Sequence, residues 1–319
     1  MDLVPDGQTN KFLQRKRSSL ERLLDKGFQR TAAIMAAMVG LVLLSIFLIV
    51  FTGALESIRN YGLKFLVISE WNPVTNEYGA FTAIYGTLVT SLSSIIIAMP
   101  LSVGTAILLT EDILPNKIRE IIGLMIELLA AIPSVVLGLW AIFVMEPFLR
   151  PFLTGLNTNL GWIPFLSTEP IGPGMAPAII ILVIMILPII TSISRDSLNQ
   201  VPKKLREAAY GIGATRWSAI FNILLPAAIS GITGGALLAL GRALGETMAV
   251  TMIIGNSLSF NWSLLAPGNT ISAMLANQFG EADGIQVSSL MYAAFILMLI
   301  SLVVNIIAQW IVKRLSLKY

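Results

Sequence analysis

An all-α integral membrane protein with six spanning helices is the fold class that the sequence predicts, and three observations predict it. The chain has 319 residues, of which 55% are hydrophobic and only 12% charged, about half the ~25% charge of a soluble globular domain. Its mean hydropathy is +0.81. Its apolar residues gather into runs of the ~20 needed to cross a hydrocarbon core of about 30 Å. Cysteine and histidine are both absent, which excludes disulfides, thiolate or imidazole metal sites, cysteine nucleophiles and histidine bases. No cofactor is expected. The 21 basic against 18 acidic residues bear on topology rather than on nucleic acid.

Six segments qualify as spans. The first runs from Thr31 to Gly53 and the second from about Ala80 to Thr110, neither with a charge. The third, Ile121 to Met145, contains Glu127; the fourth, Met175 to Ser194, is uncharged and broken by Pro177 and Pro188. The fifth, Pro226 to Gly255, holds Arg242 and Glu246, and the sixth, Val287 to Val312, is uncharged. The first span is too long and too far from the start for a signal peptide. Between spans three and four, residues 146–174 read as a proline-rich external loop, with Pro147, Pro151, Pro164, Pro170 and Pro173. Trp71, Tyr78, Tyr85, Trp162 and Trp310 fall near membrane boundaries and read as interfacial anchors.

Orientation follows from the basic residues. With both termini cytoplasmic, seventeen of the 21 Lys and Arg lie inside, three (Arg59, Lys64, Arg150) outside, and Arg242 within a span. Residues 1–30 then form a cytoplasmic basic N-terminal arm and residues 31–319 a transmembrane domain. There is no Walker A pattern, so the chain has no P-loop of its own for ATP.

The loop 195–226, on the cytoplasmic side, is the most informative stretch. Glu207-Ala208-Ala209 is followed by three residues, Gly213, nine residues, Ile223, one residue and Leu225-Pro226. Pro202 suits a helix's first turn, and Leu205 to Tyr210 is a good helix former. Gly211 and Gly213 then turn the chain, and Pro226 opens the next span. The residues alone also allow a solvated connector carrying cytoplasmic charge. The spacing resembles, at every position, the EAA motif (EAA-x3-G-x9-I-x-LP) of permease subunits in binding-protein-dependent ABC importers. The resemblance implies that Glu207, Ala208, Ala209 and Gly213 dock a short helix into an ATPase subunit and pass its closure to the spans.

Arg242 and Glu246 are four residues apart and share one face of span five. Arg242 is sixteen residues from Pro226, about 24 Å, and thirteen from Gly255, about 20 Å, so it is expected deep in the hydrocarbon zone. There an arginine costs at least ~2.5–3.5 kcal/mol and must face a partner, a bundle interior or water. Gly231-x-x-x-Gly235 and Gly241-x-x-x-Gly245 allow close helix approach. A guanidinium on such a helix offers a donor fork suited to a tetrahedral oxyanion, and Glu246 can hold the fork or accept a proton from the ligand. A self-neutralising structural pair is the competing reading. Glu127, close to the inner face, reads as having a structural partner rather than a substrate role.

The run Gly241-Arg242-Ala243-Leu244-Gly245-Glu246-Thr247-Met248-Ala249-Val250, with Ile132-Pro133-Ser134-Val135-Val136-Leu137-Gly138-Leu139-Trp140, looks like the phosphate-specific permeases. Its GETMAV portion resembles one of the two paired permease types rather than the PstA type. The resemblance covers about residues 30 to 315 and implies a MetI-like, type I importer permease fold in a bacterial inner membrane. It also implies a heterodimer with a PstA-like permease, two PstB-like ATPase subunits inside and a PstS-like phosphate-binding protein outside. In that family the Arg and Glu of this run are implicated in phosphate passage. Residue chemistry alone reaches only an anion bound by arginine, leaving sulfate, molybdate or phosphonate open. An ion-coupled secondary transporter or channel using Arg242 and Glu246 gives no reason for the EAA spacing. A membrane enzyme has a poor catalytic inventory without His or Cys.

Overall fold

The computed structural model describes residues 19–315. Residues 1–18 of the basic arm lie outside the described residues. The chain forms two compact units, residues 1–52 and 53–319. Among the described residues, six helices are long and apolar enough to cross a membrane: Leu24–Leu66, Phe81–Thr110, Ser134–Leu160, Met175–Asn199, Arg216–Gly245 and Gly284–Trp310.

Helix α1 (Ser19–Tyr61) supplies the described part of the first unit, and its last residues, Gly53–Tyr61, fall in the second. Its apolar residues from Ile34 to Phe51 are exposed around the whole circumference, the pattern of a helix whose solvent is lipid. The second unit holds α2 (Phe81–Thr110), α3 (Asn116–Ala131), α4 (Ser134–Trp140), α5 (Glu146–Leu160), α6 (Met175–Asn199) and α7 (Lys203–Gly211). It continues through α8 (Arg216–Ala219), α9 (Leu225–Gly245), α10 (Met248–Ile253), α11 (Ile271–Gln278) and α12 (Gly284–Leu315).

Prolines mark where the sequence reading departs from the structure. The third span is not Ile121–Met145. The chain breaks at Ile132-Pro133, both extended, because the residue before a proline is pushed out of the helical region. The spanning helix begins at Ser134 and runs through a π turn (Ala141–Met145) into α5, absorbing half of the expected external loop. Likewise Pro226 does not open span five. That span starts at Arg216 and passes through a second π turn, Ile220–Leu224, into α9. Both π turns end two residues before a proline, Pro147 and Pro226. Proline lacks an N–H and its ring collides with the carbonyl four residues back, and the wider turn absorbs both defects without ending the helix. Pro188 does not break α6 either.

Helix α6 is the central strut, with Ile181, Ile186 and Ile190 fully buried. Ala98 of α2 and Ala239 and Ala243 of α9 pack against its Ile179, Val183 and Ile186. Ser102 Oγ donates to Leu187 O (3.2 Å) and Thr191 Oγ1 to Ser102 O (3.4 Å), tying α2 to α6. A second cluster forms around a short hairpin, β1 (Trp71–Asn72) and β2 (Glu77–Tyr78), where Phe65 stacks on Tyr292 with ring centroids 4.5 Å apart. Trp71 and Tyr78 are buried here, so they are core residues rather than interfacial anchors, whereas Trp162 and Trp310 are exposed.

The two GxxxG pairs differ. A Cβ on Gly231 would collide with Ser197 Oγ of α6, and one on Gly235 would come to 3.0 Å of Ile193, so this pair seats α9 on α6. Gly241 and Gly245 face open space. Gly231→Val is therefore expected to destabilise the isolated chain by about 1–3 kcal/mol through overpacking, seen as a lower melting temperature in detergent. Gly234→Ala, which meets nothing, should leave it unchanged.

Candidate functional site

Span five ends ten residues before the expected Gly255. Helix α9 stops at Gly245, Glu246 turns to an extended conformation (φ −67, ψ 121), and a new short helix begins at Met248. The expected continuous helix to Gly255 is thus broken at Glu246-Thr247, and Arg242 stands in the last turn of α9 instead of mid-helix.

The break is supported group by group. Glu246 Oε1 accepts from Ala249 N–H at 3.4 Å, satisfying one of the free donors that open α10. Ser272 Oγ of α11 donates to Leu244 O, a free carbonyl closing α9, at 3.4 Å. A cation at a helix C-terminus and an anion at an N-terminus both match the helix dipole, as Arg242 and Glu246 do. From the opposite side, Gly138 of the IPSVVLGLW run packs against α10; a Cβ there would reach 3.0 Å from Ala249 Cα. Beyond α10 the chain is irregular but paired: Gly174 N–H donates to Ile253 O (2.8 Å), Met175 N–H to Ala266 O (3.1 Å) and Gly268 N–H to Ile254 O (2.9 Å). Irregular backbone at membrane depth is tolerated where it is buried in protein in this way.

Two ion pairs with i, i+4 spacing show what is unusual about the site. Arg150 grips Glu146 with both ends of its fork, Nε to Oε1 at 2.7 Å and Nη2 to Oε2 at 2.7 Å. Arg242 only approaches Glu246, Nη2 to Oε2 at 3.9 Å, with the arginine side chain 47% exposed and the glutamate 8%. The first arginine is used up by its partner. The second retains an open fork beside a carboxylate held by the backbone. Sequence reading missed the ion pair of Arg150 with buried Glu146 because it placed both in a loop.

The remaining residues lie apart from this break. Glu207, Ala208 and Ala209 are in α7, a helix bounded by Pro202 and Ile212, with Ala209 buried and Glu207 and Ala208 exposed. Gly213 follows at φ +84, a left-handed conformation that favours glycine. Glu127 falls in α3, outside the third spanning helix, and meets Arg195 Nη1 at 3.9 Å. No cluster of metal-binding type is found among the described residues.

Comparison with known proteins identifies the family. Residues 103–317 match the family model described as binding-protein-dependent transport system inner membrane component. The chain belongs to this family. The phosphate transport system permease protein PstC of Xylella fastidiosa (strain Temecula1) is 44% identical over 293 residues, covering 90% of both chains. PstC of Haemophilus influenzae is 41% identical, covering 91% of this chain and 93% of its own. Two solved transporters share the fold at 17% identity. The bacterial alginate ABC transporter with its periplasmic protein gives a TM-score of 0.59 over 91% of this chain and 97% of the other. The MetNI methionine ABC transporter, inward facing, gives 0.55 over 73% and 94%. The protein is thus a multi-pass inner-membrane permease of the type I, MetI-like importer fold, and as a transport subunit it works with binding-protein and ATPase partners.

The chain is naturally free of cysteine, which makes the exposure difference at the break measurable. In single-cysteine variants, Arg242→Cys is expected to react readily with a small polar thiol reagent, and Glu246→Cys at least ~10-fold more slowly, since reactivity follows exposure. Equal rates would contradict the geometry.

Proposed function

We propose that this permease is one of two membrane subunits of an ATP-driven phosphate importer, and that Arg242 and Glu246 lie on its translocation path. The observation that carries the phosphate reading is the likeness to PstC proteins over nine-tenths of both chains. The open fork of Arg242 is its chemical counterpart, because a guanidinium free to bind bidentately suits a tetrahedral oxyanion. Glu246, which accepts from Ala249 N–H, is in this reading the group that receives a proton from a protonated oxyanion, which favours phosphate over sulfate. The exposed glycine face of Gly241 and Gly245 suits close approach by a second, PstA-like permease to complete the path.

In this reading the chain performs no catalysis. Two PstB-like ATPase subunits hydrolyse ATP, and α7 within the 195–226 loop receives their closure through Glu207, Ala208, Ala209 and Gly213. A periplasmic or lipid-anchored PstS-like protein delivers phosphate outside. Both termini are cytoplasmic, with residues 1–30 as a basic arm before the permease domain 31–319, as the charge asymmetry of the loops supports.

The test is radiolabelled phosphate uptake into proteoliposomes containing this chain, its partner permease and the ATPase, with binding protein and ATP, omitting each in turn. Uptake should need every component and be unaffected by excess sulfate. Uptake by this chain alone on an ion gradient would overturn the reading. Arg242→Gln should reduce uptake to background while the complex still assembles. Glu207→Ala should lower uptake per ATP hydrolysed by a factor in the ~5–150 range typical of coupling between sites, again with assembly retained.

A further inference from the structure

The turn that closes α2 gathers three arginines from three other elements. Arg206 of α7 reaches Glu111 (Nη1 to Oε1, 2.8 Å), whose side chain is only 7% exposed. Arg119 of α3 donates through Nη2 to Asp112 Oδ1 (2.9 Å) and to Glu111 O (3.3 Å). Arg216, first residue of the fifth spanning helix, donates through Nη1 to Asp112 O (2.9 Å). The hydrogen bond and charge of Arg119, with Arg216 and Arg206 nearby, hold the Asp112 carboxyl below its usual range.

Arg206 does more than neutralise Glu111. Its Nη2 also donates to Leu198 O at 3.0 Å, in the last turn of α6. One guanidinium therefore joins α7 to the ends of spans two and four at once. Among the described residues of α7, Arg206 alone makes side-chain hydrogen bonds or ion pairs to a spanning helix. Beside these contacts the same face of α7 is loose: a groove of about 400 Å³, lined in part by Lys203, Arg206, Glu207 and Tyr210 of α7 and by Thr110 and Asn199 at the helix ends, runs along it. Helix α7 also packs against the π turn Ile220–Leu224 of the fifth spanning helix, but its polar contact with the ends of spans two and four runs through this one side chain.

We propose that Arg206, seated on the Glu111–Asp112 turn and Leu198 O, is the positioning residue through which movement of α7 reaches spans two and four. This rests on the coupling role of α7 proposed above. The alternative, that the pair only stabilises the fold, makes an opposite prediction. Replacing a buried ion pair by apolar residues of similar size is often neutral for stability, so a merely structural pair is dispensable in a matched apolar double variant.

The experiment uses the full complex in proteoliposomes and compares wild type, Arg206→Met/Glu111→Met, Arg206→Lys and Glu111→Gln. The readouts are co-purification of all subunits, stimulation of ATPase by the binding protein, and phosphate moved per ATP. The double variant is expected to assemble but to lose stimulation at least ~5-fold, the low end of coupling between sites. Glu111→Gln, which keeps size and an acceptor, should lose less, and Arg206→Lys, which keeps the charge but not the fork, should fall between. Wild-type stimulation and transport ratio in the double variant would overturn the proposal. If the double variant does not assemble, Arg206→Lys and Glu111→Gln decide it, and wild-type stimulation in both overturns it. If the wild-type complex itself shows no stimulation, the coupling role of α7 falls, and this inference with it.

Discussion

Within hydrocarbon, every backbone N–H and C=O must find a partner inside the protein, since each one left unpaired costs several kcal/mol. The shape of this permease follows from how it meets that constraint at its irregular points. Prolines at 147 and 226 would leave a carbonyl unpaired in a regular helix, and a π turn just ahead of each carries the chain through. The true break, at Glu246-Thr247, is placed where side chains from its own strand of chain and from α11 take the freed groups. The irregular segment beyond it pairs with residues 174–176, at the head of α6. The break can exist because α6, buried along most of its length, gives it a wall to lean on.

Charges follow the same economy. Glu111 and Glu146 are both nearly buried and both are matched at 2.7–2.8 Å by an arginine, as an unpaired buried carboxylate would be strongly destabilising. Arg242 departs from this pattern. Its side chain is as exposed as that of Arg150, 47%, but its partner is 3.9 Å away. An arginine held at a helix end but not consumed by its counter-ion suits the proposed anion path better than it suits a purely structural pair.

Composition and run length were enough to read an all-α, six-span membrane protein, because lipid imposes a single repeating demand on sequence. The α7 helix was legible as well: Pro202 ahead of it, good helix formers within and glycines after it are local signals. The boundaries of spans three and five were not. Pro133, Pro147 and Pro226 look alike in sequence, yet only Pro133 ends a helix; whether a π turn absorbs a proline depends on tertiary packing. The Arg242–Glu246 spacing was visible, but the break between the two helices was not, since its support comes from Ser272 and Gly138, distant in sequence. The Glu111–Asp112 turn escaped notice for the same reason: its arginines lie at 119, 206 and 216.

The two irregular regions are joined by one continuous element. The helix that starts at Arg216, bound to the Asp112 carbonyl, runs through the π turn and α9 to Arg242 beside the break. At 1.5 Å per residue that is about 39 Å, more than the thickness of the hydrocarbon core. A packed helix is stiff along its axis, so the position of its Arg216 end bears directly on the register of its Arg242 end. The π turn at Ile220–Leu224 interrupts the regular hydrogen-bond ladder near the hub, and the seat of Gly231 and Gly235 on α6 lies beyond it. The upper part of the helix is therefore anchored against α6, and the lower part has a built-in point at which it can bend. Rotation of the α7 corner is thus expected to be taken up at the π turn first. What then reaches Arg242 is expected to pass through the α6–α9 contact, which gives the small residues at 231 and 235 a part in the mechanics of the proposed path as well as in packing.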